Sequence, residues 1–374
     1  MAKRVRARST RRGPSPVLRD RLAACRAQMK RARIPALLIT NRPDQIYMTG
    51  FSGEDGGVLI TPREVYLLTD SRFETSSKAE APWARAIFRK MTLQQELEKL
   101  AKKLRMRKLG IQAQHLPLAT CNAYRRAVRP AKVVAAPDIP GSLRTIKKAD
   151  ELPLFRKAIR VAEEAFLRTI RTIRVGQTER AIAARLEYEM ALLGSDRAAF
   201  GTIVAEGANA ALPHAFPGER KIKKGSHVLL DWGAQCDWYC SDLTRVVFVD
   251  RVPKRIREIY GITLEAQLAG IDAIRPGERM CDVDAVARNL IKRAGYGRFF
   301  GHGLGHGLGL DVHEAPSLSW RSTAKLEPGM VVTVEPGIYL PGVGGVRIED
   351  DVIVTDRGCR VLTSVTKNID DLVL

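Results

Sequence analysis

The stretch "FFGHGLGHGLGLDVHE", residues 299–314, holds three of the six histidines of the chain among five glycines. In an extended strand His302, Leu304 and His306 would share one face, and the glycines would let neighbouring backbone or a ligand approach closely. His313 lies an odd number of residues from His306, so it needs a turn at "LDVHEAP" to face the same cavity. No frame of the stretch fits the G-x-G-x-x-G or P-loop pattern. The stretch therefore predicts a metal site rather than a nucleotide-binding loop.

Four acidic residues stand beside apolar runs that read as strands. "HVLLDWGAQCDWYCSDLTRVVFV" predicts a hairpin with Asp231 after one apolar run and Asp242 before the next. "MVVTVEPGIYL" and "GVRIEDDVIV" predict a second hairpin, with Glu335 after the first strand and Glu349 in the returning strand. Burying an unpaired carboxylate is costly unless a cation or donor compensates it. Four such acids and one imidazole from residues 299–314 therefore predict a shared metal site.

The rest of the chain predicts two domains. Short apolar runs interleaved with helices indicate an α/β domain, a Pro-containing linker follows at 135–153, and amphipathic helix pairs alternate with β-rich segments afterwards. Helix pair then sheet, twice over, hints at an internal duplication, although no residue-level repeat proves it. The predicted organisation is a disordered basic tail at 1–14, an N-terminal domain at 15–140 and a catalytic domain at 150–374.

Composition is that of a globular protein, with 45% hydrophobic residues and no apolar run long enough to cross a bilayer. The six cysteines are scattered, and only Cys236 and Cys240 lie close, without a second pair to complete a zinc site. Reduced structural thiols, a cytoplasmic setting and no membrane partner are therefore expected.

The net charge is +21, and six basic residues fall within the first twelve. The remaining positive charge is spread along the sequence rather than gathered with aromatic residues, and no nucleic-acid-binding motif is present. Nucleic acid is therefore not an expected partner, beyond weak contact through the basic tail.

Five motifs in order, "DWG", "SDLTR", "GHGLGHGLGLDVHE", "VVTVEPGIY" and "GVRIEDDVIVT", closely resemble the pita-bread metallopeptidases, in the branch of Xaa-Pro aminopeptidases and prolidases. The resemblance extends through "LRTIKKADELPLFRKAIRVAEEAF" and the amino-terminal half, which resembles the creatinase-type N-domain. It implies an α+β pita-bread catalytic domain preceded by an α/β creatinase-type N-terminal domain. One departure is Phe73 in "TDSRF", where many relatives carry tyrosine.

Carried over residue by residue, the resemblance implies that Asp231, Asp242, His306, Glu335 and Glu349 bind two divalent ions. Asp242 and Glu349 would bridge the ions, Asp231 would chelate one of them, and His306 and Glu335 would belong to the other. Four carboxylates with one imidazole suit Mn²⁺ first or Co²⁺, with Zn²⁺ and Fe²⁺ as alternatives. Such a pair of ions makes an activated water available at neutral pH.

Three histidines match the catalytic shell of the family: His214, His302 and His313. The resemblance assigns them to substrate binding, stabilisation of the tetrahedral intermediate and proton transfer. It makes Glu335 the proton shuttle, and it gives Arg347 the role of orienting ligands or meeting the substrate carboxylate. His115 and His227 match no catalytic motif and are expected to be structural.

The function implied is hydrolysis of the bond between an N-terminal residue and proline by a metallopeptidase, with peptides that carry proline second as substrates. The motif style favours an Xaa-Pro aminopeptidase. An Xaa-Pro dipeptidase (prolidase) is the alternative, because the ligand motifs do not report how the cavity is closed. A non-catalytic pita-bread binding protein is a further alternative, but such relatives lose ligands and all five are present here. The habit of the family predicts a homodimer.

Overall fold

A computed structural model describes residues 13–374, and the chain divides between Arg144 and Thr145 into two compact units. The predicted disordered tail lies outside the described residues, apart from Gly13 and Pro14. Within residues 13–374, every helix is too short or too polar to span a bilayer.

The first unit is a six-stranded mixed sheet with helices. Its strands are β1 (Leu37–Ile39), β2 (Gly57–Ile60), β3 (Val65–Thr69), β4 (Arg85–Phe88), β5 (Lys108–Ile111) and β6 (Lys132–Ala135). Its helices are α1 (Pro16–Arg31), α2 (Arg42–Thr49), α3 (Glu74–Glu80), α4 (Leu93–Lys103), α5 (Leu118–Ala127) and α6 (Ile139–Arg144). All six strands follow the apolar runs of the sequence, whereas four of the six helices carry too little periodic pattern to be predicted.

Strand direction gives this sheet two distinct ends. The order is β4-β3-β2-β1-β5-β6, and only β2 runs antiparallel to the other five strands. Five strands therefore begin at the same end, which we call the amino end of the sheet. Loops that lead into these strands meet there.

Local capping explains where the helices of this unit begin. The Ser15 side chain accepts a hydrogen bond from the Leu18 amide at 3.3 Å, and Pro16 occupies the first turn of α1. Thr92 and Gln95 form a capping box at the start of α4. The buried apolar residues of α4 and α5 pack with those of the strands in one core.

The second unit holds the remaining elements. Its helices are α7 (Leu152–Ile170), α8 (Glu179–Leu192), α9 (Lys254–Asp272) and α10 (Met280–Arg293). Its strands are β7 (Arg197–Ala198), β8 (Ile203–Glu206), β9 (His227–Trp232), β10 (Ala234–Cys236), β11 (Tyr239–Cys240), β12 (Leu243–Phe248), β13 (Gly305–Gly307), β14 (Glu314–Leu318), β15 (Val331–Val334), β16 (Gly337–Leu340), β17 (Gly344–Arg347), β18 (Asp350–Val354) and β19 (Cys359–Val361). The two main sheets have the orders β12-β9-β8 and β14-β13-β15-β18-β19. An isolated bridge between Thr244 and Glu349 joins them.

The two halves of this unit repeat one local structure. Gly176 follows α7 with a φ of +92°, and Gly277 follows α9 with a φ of +91°. The Gly176 amide donates to Ile222 O at 2.9 Å, and the Gly277 amide donates to Leu326 O at 2.8 Å. The sequences that end in these glycines are "IRVG" and "IRPG". The internal duplication that the order of helices and strands suggested is therefore accompanied by a short repeat in the sequence.

Core packing in the second unit holds β9, the strand that carries Asp231, in place. Trp232 is fully buried and stacks on Phe166 of α7, with ring centroids 4.5 Å apart and planes at 6°. Its indole nitrogen donates to Ala162 O at 2.9 Å. Because Trp232 directly follows Asp231, this packing holds the end of β9 against α7.

Candidate metal centre and catalytic cleft

The structure brings the predicted site residues to one cleft of about 1160 Å³ in the second unit. The five predicted ligands line it: Asp231 in β9, Asp242 just before β12, His306 in β13, Glu335 directly after β15, and Glu349 between β17 and β18. The predicted catalytic residues His214, His302, His313 and Arg347 line it too. Residues far apart in sequence therefore share one cavity.

Three of the ligands form the tightest cluster. One ligand atom from each of Asp242, His306 and Glu349 lies within 4.8 Å of the other two. His306 Nε2 is 3.6 Å from Asp242 Oδ2 and 3.5 Å from Glu335 Oε1. These separations leave room for an ion but not for a side chain.

The glycines around His306 are explained by close strand packing. A Cβ on Gly305 would collide with the carbonyl of Thr333 in β15, and one on Gly307 would collide with the carbonyl of Ala315 in β14. The bare backbone thus lets β13 lie between its two neighbours.

The hydrogen bonds of His306 decide which nitrogen faces the carboxylates. Nδ1 lies 3.1 Å from Gly307 O, which can only accept, so Nδ1 carries the proton. The Nε2 lone pair therefore points toward the carboxyl groups of Asp242 and Glu335, at 3.6 and 3.5 Å. Burial lowers the pKa of His306 to about 4, which keeps the ring neutral. A lone pair that faces carboxylates is the arrangement expected of a metal ligand.

The protein compensates the charges of the buried carboxylates only in part. Burial, and then repulsion from neighbouring acids, raise the pKa of Asp242 and Glu349 well above the usual range. Burial raises the pKa of Glu335 to about 8. Asp231 Oδ1 is buried without a hydrogen-bond partner among the described residues. Divalent cations would satisfy all of these groups at once, so the residues present fit a metal centre.

Arg347 and Thr244 hold the ligands in place. Arg347 Nη2 donates to Asp231 Oδ2 at 2.5 Å, and its Nε donates to Thr244 Oγ1 at 3.0 Å. Thr244 Oγ1 in turn donates to Glu349 Oε2 at 2.6 Å. Sequence reasoning missed Thr244, although it lies two residues after Asp242 in "SDLTR".

Tyr339 is a second residue that sequence reasoning missed. Its hydroxyl accepts from Arg347 Nη1 at 2.8 Å and lies 2.9 Å from His302 Nε2, to which it donates. His302 Nδ1 donates to Gly303 O at 2.9 Å. Burial raises the pKa of Tyr339 to about 12 and lowers that of His302 to about 4. His302 is therefore a neutral ring with both nitrogens engaged.

The other two histidines are less constrained. The ring of His313 lies 4.2 Å from the ring of His306, and burial lowers its pKa. His214 is exposed on the loop before β9, and Arg347 Nη1 donates to Pro213 O of that loop at 3.3 Å. Arg347 thus links the cleft loop to Asp231.

Two local expectations are wrong. His302, Leu304 and His306 do not share a strand face, because the strand spans only Gly305–Gly307 and Leu304 is buried in the core. Glu349 is not inside a returning strand but lies in the break between β17 and β18. His115 is exposed in the first unit, His227 is buried at the start of β9, and neither lines the cleft.

Comparison with known proteins agrees with this architecture. The profile of Metallopeptidase family M24 matches residues 153–356, and that of the Creatinase/Prolidase N-terminal domain matches residues 21–146. The chain is 36% identical over 343 residues to an Xaa-Pro dipeptidase of Pyrococcus horikoshii, covering 91% of this chain and 96% of that protein.

Solved structures give the same result. The structure of an Xaa-Pro dipeptidase from Bacillus anthracis matches with a TM-score of 0.92 and 38% identity, covering 96% of this chain and all of that one. An X-Pro aminopeptidase from Thermotoga maritima matches with a TM-score of 0.86 and 36% identity, covering 93% of this chain and all of that one.

The fold class is thus a pita-bread catalytic domain preceded by a creatinase-type N-terminal domain, and that prediction is confirmed. The chain belongs to metallopeptidase family M24 and is a peptidase, and Asp242, His306 and Glu349 form a possible metal site in it.

Proposed function

We propose that the protein hydrolyses the peptide bond between an N-terminal residue and a following proline, with Xaa-Pro dipeptides as its preferred substrates. The observation that carries the proposal is the convergence of Asp242, His306 and Glu349 within 4.8 Å, with the His306 lone pair directed at carboxylates. Relatives of similar length named Xaa-Pro dipeptidases support the choice of bond.

Five residues would hold the metal: Asp231, Asp242, His306, Glu335 and Glu349. Two divalent ions bound there would polarise the substrate carbonyl and lower the pKa of a water. Mn²⁺ is the first choice because four of the five ligands are carboxylates, with Co²⁺ next.

Glu335 is the proposed proton carrier. Its Oε1 lies 3.5 Å from His306 Nε2 at the proposed metal centre, where its carboxylate could take a proton from the attacking water and give it to the proline nitrogen as that nitrogen leaves. The neutral His302, fixed by Tyr339, would donate no proton of its own but would shape the wall against which the substrate lies.

Arg321 supports the preference for dipeptides. It lines the cleft, is exposed and has no acidic partner in the part of the chain that the structure describes. Arg347 is buried and directs its guanidinium at Asp231, Thr244 and Tyr339, so it has little capacity left for a substrate carboxylate. We therefore propose that Arg321, rather than Arg347, binds the substrate carboxylate. In a dipeptide this free carboxylate is on the proline itself, so such a contact would favour dipeptides.

An Xaa-Pro aminopeptidase is the second candidate. The cleft volume of about 1160 Å³ exceeds the roughly 300–1,000 Å³ of common small-ligand pockets, which favours access for longer peptides.

The test uses protein treated with a chelator and reloaded with Mn²⁺. Initial rates are measured on Ala-Pro, Ala-Pro-Ala and the control dipeptide Ala-Ala. Cleavage of Ala-Pro well above Ala-Pro-Ala is expected. Faster cleavage of Ala-Pro-Ala would favour the aminopeptidase, and no cleavage of either proline peptide by metal-loaded protein would overturn the proposal. In Arg321→Gln the KM for Ala-Pro should rise about tenfold or more while kcat changes little.

A further inference from the structure

Eight basic residues gather at the amino end of the N-terminal sheet. We call them the basic face: Arg33, Lys103, Arg105, Arg107, Lys108, Arg126, Arg129 and Lys132. Seven are exposed and Lys108 is half-buried. They are spread over a hundred positions of the sequence, so only the fold brings them together.

The strand register places them side by side. Lys108 and Lys132 are paired residues at the starts of the parallel strands β5 and β6, and neighbouring strands lie about 4.8 Å apart. The Lys132 amide donates to Arg107 O at 3.1 Å, and Lys108 Nζ donates to Arg33 O at 3.0 Å. Lys103 ends α4 and Arg126 lies in the last turn of α5, next to the same strand starts.

Acidic residues do not neutralise this face. None of the eight side chains forms an ion pair with an acid among residues 13–374. Asp55, Asp70 and Asp138 lie at the opposite end of the sheet, before β2, after β3 and after β6. Glu64 lies at the amino end, directly before β3, and pairs there with Arg85 rather than with a residue of the basic face. The basic face therefore carries positive charges that no acid pairs with among residues 13–374, which favours a polyanionic partner at the amino end.

Two arginines of the basic face have backbone conformations that usually favour glycine. Arg33 has a φ of +55° and Arg105 a φ of +48°, directly after the ends of α1 and α4. Glycine is the residue that helix ends favour in this left-handed conformation. Both positions carry arginine, at the cost of local strain, and both lie on the basic face.

We propose that the basic face binds the phosphate backbone of double-stranded nucleic acid. Five of its eight residues are arginine, which binds phosphate oxygens through two parallel hydrogen bonds. The exposed large apolar residues of this unit, within residues 13–374, are Met91 and Leu118, and neither belongs to the face. A lipid surface would find no large exposed apolar anchor there. The aromatic rings that share a small pocket with Lys103 are the buried Tyr66 and the half-buried Trp83, so single-stranded bases would find no fully exposed ring to stack on.

The proposal is tested with full-length protein and a fluorescein-labelled 20-base-pair DNA of mixed sequence. Fluorescence anisotropy gives Kd between 50 and 300 mM NaCl, where binding should weaken steeply with salt. In Arg33→Gly/Arg105→Gly the slope of log Kd against log salt should fall by about two, and affinity at 100 mM NaCl should fall about tenfold or more. Because glycine relieves the strained φ angles, the Tm and the rate of peptide hydrolysis should stay at wild-type values.

The matched control is Lys90→Gly, which removes an exposed charge just beyond β4 at the other end of the sheet. Its affinity for the duplex should stay within about twofold of wild type. A second variant lacks residues 1–12, and duplex binding should survive this deletion. Loss of binding with the deletion but not with the glycine substitutions would overturn the proposal. Binding to phosphatidylglycerol vesicles without binding to the duplex would overturn it as well.

Discussion

At the scale of single residues, Arg347 shows how the site is preorganised. Its guanidinium contacts Asp231, Thr244 and Tyr339, and Thr244 passes the restraint on to Glu349. One planar group therefore fixes two predicted ligands from separate parts of the unit, Asp231 in β9 and Glu349 between β17 and β18. A lysine side chain, with a single ammonium group on a flexible chain, could not make the same set of directed hydrogen bonds.

Arg347→Lys should therefore keep the charge of the site and lose its geometry. We expect kcat for Ala-Pro to fall on the order of a hundredfold, with a smaller change in KM. Binding of Mn²⁺, followed by isothermal calorimetry, should weaken as well. Thr244→Val is the companion variant, because it removes one link of the same chain. Wild-type kcat in both variants would contradict the positioning role.

His227 predicts a loss of stability in mild acid. It is 2% exposed, its Nε2 has no hydrogen-bond partner among the described residues, and burial lowers its pKa to about 4. The unfolded chain, with a pKa near 6.5, binds this proton more readily, so stability is present above pH 6.5 and is lost as the pH falls toward 4.

Between pH 7 and pH 5 this residue should cost about 2 kcal/mol of the free energy of unfolding. Urea denaturation at the two pH values measures the loss, and subtracting the same difference in His227→Gln isolates the share of this residue. The variant should show a pH dependence shallower by about that amount. Equal pH dependence in both proteins would show that His227 is not responsible.

At the scale of elements, sequence patterns predicted strands better than the connections between them. The strands of the first unit coincide with its apolar runs, because a buried strand needs a continuous apolar stretch. The single hairpin expected around Glu335 and Glu349 is instead two pairings, of β15 with β18 and of β16 with β17. Apolar periodicity is the same for both arrangements, so only long-range packing selects the observed one.

Strands β12 and β18 are joined by a buried ionic network that the sequence did not reveal. Arg245 is fully buried and donates to Asp350 Oδ1 at 2.7 Å, while Lys367 and Gln267 contact the other oxygen of Asp350 at 2.6 and 2.8 Å. Burial opposes ionisation of Asp350, but the two positive charges lower its pKa to about 2.

Asp350→Asn should cost about 3–5 kcal/mol of the free energy of unfolding, because it leaves the buried Arg245 charge uncompensated. Urea denaturation at pH 7 measures the loss. Asp356→Asn, an exposed neighbour on the same chain segment, is the matched control and should change stability by less than about 0.5 kcal/mol. A comparable loss in both variants would contradict the role of the network.

At the scale of the whole molecule, metal binding should be linked to protons and to stability. In the metal-free protein burial raises the pKa of Glu335 to about 8, so most of this group is protonated at pH 7, and the pKa values of Asp242 and Glu349 are raised as well. Ions bind the deprotonated groups, and the protons must leave.

Adding Mn²⁺ to chelated protein at pH 7 should therefore release protons and raise Tm. Calorimetric titrations in two buffers of different ionisation enthalpy give the number of protons released. The number should fall as the pH rises toward 9, because Glu335 is then largely deprotonated before the ions bind. Asp242→Asn should reduce both proton release and thermal stabilisation, and a titration that releases no protons would contradict the raised pKa values.

The sequence revealed the candidate ligands because each acid sits in a short motif beside an apolar run. It did not reveal Thr244, Tyr339 or the basic face, because these depend on which strands become neighbours. Thr244 contacts Glu349 only because β12 lies beside that residue in the fold. Lys108 lies beside Lys132 only because β5 pairs with β6. Short sequence motifs therefore predicted the candidate ligands, whereas contacts between distant strands became visible only in the structure.

The stack of Trp232 on Phe166 also supplies an optical reporter. The indole is shielded from solvent and directly follows the proposed ligand Asp231 in the chain, so its emission should be blue-shifted and sensitive to occupancy by a paramagnetic ion. Filling of the centre should then quench the Trp232 share of the fluorescence, which can be followed in real time against the emission of the other three tryptophans without any introduced dye.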